Sequence, residues 1–391
     1  MKKVAKWTKK RHAFLFKLLS PVFRWHFKTK YNLKALPCED VVPKPALIMA
    51  NHLTTMDPFM MACSFKRPIY YITSDDLFTI PVISPLIRFL VAPIPKAKSK
   101  SDLNTVRYTL KVLKEGGTVA VFPEGNRSLS GGNWNIDIST AKLVKMCKVP
   151  LVLYNIKGGY GSEPRWGGGV RKGEMTCGVV KVISTEQLEK MSVEEIYSVI
   201  VENLVTNDWA SGVKFKSKHR AEFLERALYY CPKCKSFNSL YSEKAQLHCK
   251  KCDFVTEYTE DLHFKKINFE PCGDTVKEWY EKQEVALSNF VEEKKGALFS
   301  DLKVEARLVY DGKRHKLGNA KIVAEKDKLT VYLKKKEDMV VDFSTLYGVT
   351  VVGKRKINFY LPNDKTLQIK GSKRFNAIKY LHLYEIMKKG N

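Results

Sequence analysis

Two short segments carry the side chains best suited to chemistry. The first, Asn51-His52-Leu53-Thr54-Thr55-Met56-Asp57, sets a histidine and an aspartate five positions apart, directly after the apolar run 46–50. A carboxylate so placed can accept a hydrogen bond from one imidazole nitrogen and leave the other to take a proton. The second, Phe122-Pro123-Glu124-Gly125-Asn126-Arg127-Ser128, follows another apolar run. Its glycine permits close backbone approach, and Arg127 carries the planar fork of donors that matches a phosphate. Each segment has a plainer reading: a His with a nearby Asp is more often a turn-forming pair, and Glu124 with Arg127 could be an ion pair at a helix start.

A third group is metal-ligating. Cys231-Pro-Lys-Cys234 and Cys249-Lys-Lys-Cys252 are separated by fourteen residues, close to the spacing of a four-cysteine zinc ribbon. A redox role would require a thioredoxin-like βαβ context, which is missing, so structural zinc is favoured. His248 is read as a neighbour of the ligands. Cys38, Cys63, Cys147, Cys177 and Cys272 are scattered and read as ordinary buried residues.

These groups need elements to position them. The run 46–50 reads as a buried strand, 102–114 as a helix with Leu103, Val106, Leu110 and Leu113 at helical spacing, stopped by Gly116 and Gly117, and 118–122 and 149–156 as further strands. Alternating strands and helices predict an α/β domain with its reactive groups on loops at strand ends. Upstream, Phe14, Leu18, Pro21, Val22 and Trp25 fall on one helical side among Lys and Arg at 2, 3, 6, 9, 10, 11, 17 and 24. Such a segment can lie in a membrane interface, or pack on its own domain. The apolar stretches 13–27 and 77–95 are interrupted by charges and prolines, so neither reads as a spanning helix. Downstream, strands at 328–333, 339–343 and 356–361 precede a closing helix at 375–387, and a helix at 275–294 joins this part to the ribbon. The expected fold class is an α/β domain with basic amphipathic N-terminal helices, then a small zinc ribbon and a mostly β, barrel-like C-terminal domain. The boundaries are 1–35, 36–225, 226–262, 263–297 and 298–391.

A formal net charge of +27 over 391 residues points to polyanionic partners: anionic headgroups, nucleic acid or an acidic carrier protein. With 44% hydrophobic residues the chain can bury a core, which excludes a disordered or fibrous protein. Met1 to Lys10 has no apolar signal-peptide core, so the expected setting is reducing and cytoplasmic.

The segment 51–57 resembles the Asn-His-x-x-x-x-Asp block of the 1-acylglycerol-3-phosphate O-acyltransferase family, and 122–128 resembles its Phe-Pro-Glu-Gly-x-Arg-Ser block, with Asn126 where threonine is common. Leu77 to Pro81, continuing to Arg88, and Val149 to Val152 resemble two further blocks, so the likeness covers roughly the first half of the chain. Lys96 or Lys98 stands where an arginine is usual, and lysine lacks the bidentate geometry. The glycine-rich loop 158–173, with Arg165, Trp166 and Arg171, leaves room for a non-standard acceptor.

The resemblance implies an enzyme of phospholipid biosynthesis. It would move a fatty-acyl group from acyl-CoA or acyl carrier protein to the hydroxyl of lysophosphatidic acid, giving phosphatidic acid without an acyl-enzyme. His52 would be general base and Asp57 its orienting partner. Glu124, Gly125, Asn126, Arg127 and Ser128 would bind substrate, with Arg88 and Lys96 as further contacts. The implied location is peripheral or monotopic on the cytoplasmic face of a membrane, on an anionic surface. The alternatives are another lysophospholipid or glycerol 3-phosphate as acceptor, or a catalytically silent zinc protein that binds lipid or nucleic acid. Nucleic acid is disfavoured because it leaves both acyltransferase blocks without a purpose. A pleckstrin-homology or GRAM-like C-terminal domain is expected from several strands followed by one helix.

Overall fold

The computed structural model describes residues 6–74, 83–96, 103–132, 136–311, 313–334 and 337–389. The chain divides into two units, one of Met1–Pro164 with Val170–Lys216, the other of Arg165–Gly169 with Ser217–Asn391.

The first unit is built on seven strands: β1 (Leu33–Ala35), β2 (Ala46–Ala50), β3 (Ile69–Ser74), β4 (Ile94–Lys96), β5 (Thr118–Val121), β6 (Leu151–Lys157) and β7 (Met175–Ile183). Their order is β1-β7-β6-β2-β5-β3-β4. From β6 to β4 every pairing is parallel, while β7 runs antiparallel to β6. The central strands β2 and β5 are buried along their whole length, as parallel strands covered on both faces must be.

The helices are α1 (Lys10–Tyr31), α2 (Asp57–Ala62), α3 (Ile83–Leu90), α4 (Leu103–Lys114), α5 (Ser139–Cys147), the single turn α6 (Gly159–Ser162), α7 (Thr185–Lys190) and α8 (Val193–Leu204). Alternation along β2 splits the core in two. Leu47 and Met49 join Val112 of α4, Val144 of α5 and Ile196 and Ile200 of α8, while Ile48 and Ala50 join Phe27 and Tyr31 of α1 and Met60 of α2.

Two sequence expectations change here. Helix α4 forms and stops where foreseen, with Gly116 at φ +78° and its N–H bonded to Leu113 O at 2.9 Å. Its packing face is shifted in the first turns, however: Leu103 is 82% exposed and Thr105 and Thr109 are buried, while the expected Leu113 is buried together with Val112. Thr105 donates to Pro95 O at 2.7 Å, so a small hydrogen-bonding residue lets the helix sit close to β4. The N-terminal segment forms one 22-residue helix. One side of it is core. Phe27 and Tyr31 are buried, Arg24 donates to Cys63 O at 3.0 Å and Phe65 O at 2.6 Å, and the Trp7 and Thr8 N–H groups bond to Glu115. The other side exposes Phe14, Leu18, Val22 and Trp25. Among the described residues no helix is long and apolar enough to cross a membrane.

The second unit holds a four-stranded antiparallel meander, β8 (Leu240–Glu243), β9 (Gln246–Cys249), β10 (Val255–Tyr258) and β11 (Phe264–Lys266). The helix α9 (Val276–Glu293) follows, with Trp279, Gln283 and Leu287 buried. A curled seven-stranded antiparallel sheet comes next: β12 (Phe299–Tyr310), β13 (Lys313–Ala324), β14 (Lys328–Leu333), β15 (Met339–Asp342), β16 (Gly348–Val352), β17 (Lys356–Tyr360) and β18 (Thr366–Lys370), in the order β15-β14-β13-β12-β18-β17-β16. Two irregularities in the β12–β13 register bend the long strand β12, which pairs on its other side with β18. Helix α10 (Ile378–Lys389) closes the unit.

Candidate active site

Strands β2 and β5 are parallel neighbours, so the loops that leave them emerge side by side at the carboxyl end of the sheet, where open α/β sheets place their ligands. These loops are the two chemical segments of the sequence. Asn51 is fully buried and holds the first loop to β6: its amide donates to Ile156 O at 2.8 Å and its carbonyl accepts from Ile156 N at 2.8 Å.

The histidine and aspartate meet. His52 Nδ1 lies 2.8 Å from Asp57 Oδ2, with Asp57 fully buried and the imidazole 22% exposed. The same carboxylate accepts from Leu53 N at 2.7 Å, Thr54 N at 2.9 Å and the Thr54 hydroxyl at 2.6 Å. A carboxylate held by that many donors stays fixed in place, and it fixes the imidazole through Nδ1. Nε2 is then the nitrogen left for a substrate proton. The ring stacks on Phe122 at 4.6 Å, and Phe122 stacks on Tyr71, whose hydroxyl donates to Pro58 O at 2.5 Å. Motif reading located Phe122 but gave this support no role, and it passed over Tyr71 and Thr54. The period-two placement of Tyr71 beside the end of β5 was the only signal for that contact.

The second loop serves partly as scaffold. Glu124 is buried, and its Oε1 accepts from His52 N at 2.9 Å, so it ties the two loops together; a carboxylate spent there would repel a phosphate. Ser128 is also buried: its N–H donates to His52 O at 3.2 Å and its hydroxyl bonds to Gly132 O. Asn126 Oδ1 accepts from Arg127 N at 3.1 Å. Gly125 sits at φ +65° with open space where a Cβ would be, so it serves the turn and not a close approach. These four positions were expected to contact substrate; in the structure Glu124, Ser128 and Asn126 make loop-shaping bonds. Burial pulls the Arg127 guanidinium below its usual pKa, opposed by the charges of Asp57 and Glu163. Arg127 therefore lies in the electrostatic neighbourhood of the dyad. Glu163 also accepts from the Tyr31 hydroxyl of α1 at 2.9 Å.

The remaining expected contacts are not gathered here. Lys96 ends the edge strand β4, three strand spacings from β2, roughly 14 Å away. Arg88 lies in the last turn of α3, which leads into the opposite, N-terminal end of β4. Lys98 and Leu77 to Pro81 fall outside the described residues. Arg165 and Trp166, which had suggested an unusual acceptor, are buried members of the second unit: Arg165 donates to Val351 O at 2.5 Å and Gly353 O at 2.9 Å.

In the second unit, the sulfurs of Cys231, Cys234, Cys249 and Cys252 all lie within 4.8 Å of one another. The Cys231–Cys252 and Cys234–Cys249 separations are 3.7 and 3.8 Å, against about 3.8 Å between sulfurs on a tetrahedral zinc with Zn–S near 2.3 Å. The donor set fits such an ion. His248 stacks on Tyr241 outside the cluster.

Residues 29–157 match the family model described as Acyltransferase. The matched residues lie within the first unit and include both loops of the site. The chain resembles 1-acylglycerol-3-phosphate acyltransferases in particular. It is 27% identical over 124 residues to the chloroplastic 1-acyl-sn-glycerol-3-phosphate acyltransferase LPAT1 of Arabidopsis thaliana, covering 32% of this chain and 34% of that one. The 1-acyl-sn-glycerol-3-phosphate acyltransferase of Borreliella burgdorferi is 29% identical over 29% of this chain and 48% of its own. The match therefore spans between a third and a half of these relatives' lengths. The 1-acyl-sn-glycerophosphate (LPA) acyltransferase PlsC of Thermotoga maritima aligns with a TM-score of 0.43 at 20% identity, over 49% of this chain and 78% of that structure.

Proposed function

We propose that this chain acylates lysophosphatidic acid to phosphatidic acid, taking the acyl group from acyl-CoA or acyl carrier protein. The observation that carries this reading is the His52–Asp57 pair at 2.8 Å, held at the carboxyl end of β2 beside the Arg127 loop. The acceptor hydroxyl gives its proton to His52 Nε2 as its oxygen attacks the thioester carbonyl. Asp57 stabilises the imidazolium, and collapse of the tetrahedral intermediate expels the thiolate, which takes up the proton. Arg127 holds the acceptor's phosphate. Glu124 and Phe122 act through His52 as positioning residues. The test is acyl transfer by purified protein across a panel of labelled lysolipids and glycerol 3-phosphate. Transfer to a different lysolipid alone would reassign the acceptor, and no transfer to any would overturn the activity.

The membrane part of the reading rests on the exposed face of α1. Phe14, Leu18, Val22 and Trp25 enter the acyl boundary while flanking lysines and arginines meet anionic headgroups, which makes the protein peripheral or monotopic on the cytoplasmic face. The four cysteines hold a structural zinc, which stabilises a segment too small for a core of its own.

A further inference from the structure

One cleft lies away from the dyad. It has a volume of about 340 Å³ and is bounded by the C-terminal half of α1, the loop before β2 and the turn before β3. Those connections enter β2 and β3 at their N-terminal ends, the end of the sheet opposite His52. We propose that this cleft is a second, non-catalytic lipid site that takes a zwitterionic headgroup, a phosphate linked to an amine, as in ethanolamine glycerophospholipids. The inference rests on the membrane part of the proposed function.

The lining carries charges of both signs. Two of them brace the walls: Arg24 is spent on the carbonyls of Cys63 and Phe65, and Glu39 on Lys66 N at 2.9 Å and Arg67. Lys28, Lys66 and Asp40 remain, all exposed, and none is in an ion pair among the described residues. An anion alone would meet Asp40, and an amine alone would meet two lysines. A phosphate joined to an amine satisfies both sets, so the cleft discriminates against each half by repulsion. Leu33, Ala35 and Pro37 add apolar lining, and the volume lies in the range of small-ligand sites.

Position favours a lipid over a free metabolite. Arg24 and Lys28 flank Trp25 on α1, and Trp25 belongs to the exposed apolar stripe; Leu36 and Val41 are exposed apolar residues in the adjoining loop. With that stripe in the acyl boundary, its basic flank and the cleft beside it lie at headgroup depth.

The full-length protein is titrated with O-phosphoethanolamine, glycerol phosphate and ethanolamine, with binding read by calorimetry. It is also sedimented with vesicles of phosphatidylglycerol, with and without phosphatidylethanolamine, at equal anionic density. The zwitterion should bind at least about tenfold more tightly than either half, and Asp40→Lys and Lys66→Glu should each weaken it by about tenfold. Phosphatidylethanolamine should raise partitioning of the wild type but not of Asp40→Lys, whose turnover in detergent stays unchanged. Both sites are exposed, so unaltered melting certifies the variants. Glycerol phosphate binding as tightly as the zwitterion, or both variants binding as the wild type does, would overturn the site. Binding of soluble headgroup without any vesicle response to phosphatidylethanolamine would overturn the lipid source. Failure to bind any vesicle sinks the membrane reading, and the calorimetric arm then still decides the cleft.

Discussion

Replacing His52 by alanine should lower kcat by a factor of about a hundred to ten thousand while leaving substrate binding largely intact, as expected for loss of a general base. Steady-state kinetics on folded protein checks it, and near-wild-type turnover would remove His52 from the mechanism. Arg127→Ala should instead raise KM for the acceptor, with Arg127→Lys recovering only part because the forked geometry is lost. An effect confined to the donor would move Arg127 to the carrier. The dyad was legible in sequence because its partners sit within one loop, five residues apart. The task of Glu124 was hidden, since the N–H it accepts lies seventy-two residues upstream and only the β2–β5 pairing brings the two together. The Phe122–Tyr71 stack was hidden for the same reason.

At the scale of elements, helix α1 separates two measurements. Phe27→Ala removes a ring buried in the core and should destabilise the first unit by about 3–5 kcal/mol in chemical denaturation. Leu18→Glu with Trp25→Glu alters only exposed positions and should leave the melting curve in place while abolishing sedimentation with anionic vesicles. Undiminished vesicle binding by that double variant would put the anchor elsewhere. Hydrophobic spacing located α1 and α4 and placed Leu110 and Leu113 of α4 against the core, but it misjudged the start of the α4 packing face, where Leu103 is exposed and Thr105 is buried. Helix α10 brings a pH response. Burial pushes His382 down to about 3, and burial with Glu284 nearby pushes Glu385 up to about 7. A histidine kept neutral in the fold stabilises it above its unfolded pKa near 6.5, and that contribution fades as pH falls toward 3. A carboxyl kept protonated stabilises it below its unfolded pKa near 4.5, and that contribution fades as pH rises through 7. Glu385→Gln should therefore flatten the fall in stability between about pH 4.5 and 7, read as melting temperature against pH. An unchanged profile would remove Glu385 from that limb.

At the scale of the whole molecule, metal analysis should find one zinc per chain, and Cys234→Ser should lose it. The second unit should then melt earlier as a whole, because residues of the cysteine segment are bonded into its other elements. Trp279 of α9 donates to Tyr230 O at 3.1 Å, and the buried Lys379 of α10 donates to Asn238 Oδ1 at 2.9 Å. A lower melting temperature with turnover per folded molecule retained is the expected outcome. Turnover that depends strictly on zinc in an intact fold would make the site catalytic. The four-cysteine cluster and the late strands were readable from local pattern, but the sheet that carries Cys249 continues through β11, past the boundary drawn at 262, because Phe264 to Lys266 pair with β10.

The segment 165–169 sets a timetable. The ribosome delivers Arg165 and Trp166 before β7 of the first unit, yet the carbonyls that receive Arg165 follow 186 and 188 residues later. At roughly 5–20 residues per second the Arg165 side chain waits about 10–40 seconds for these carbonyls. A nascent chain arrested after residue 216 would therefore present Arg165 and Trp166 on the connection between β6 and β7 before their partners in the second unit exist, a handle that a ribosome-associated chaperone can grasp and that a shortened recombinant product would keep for good.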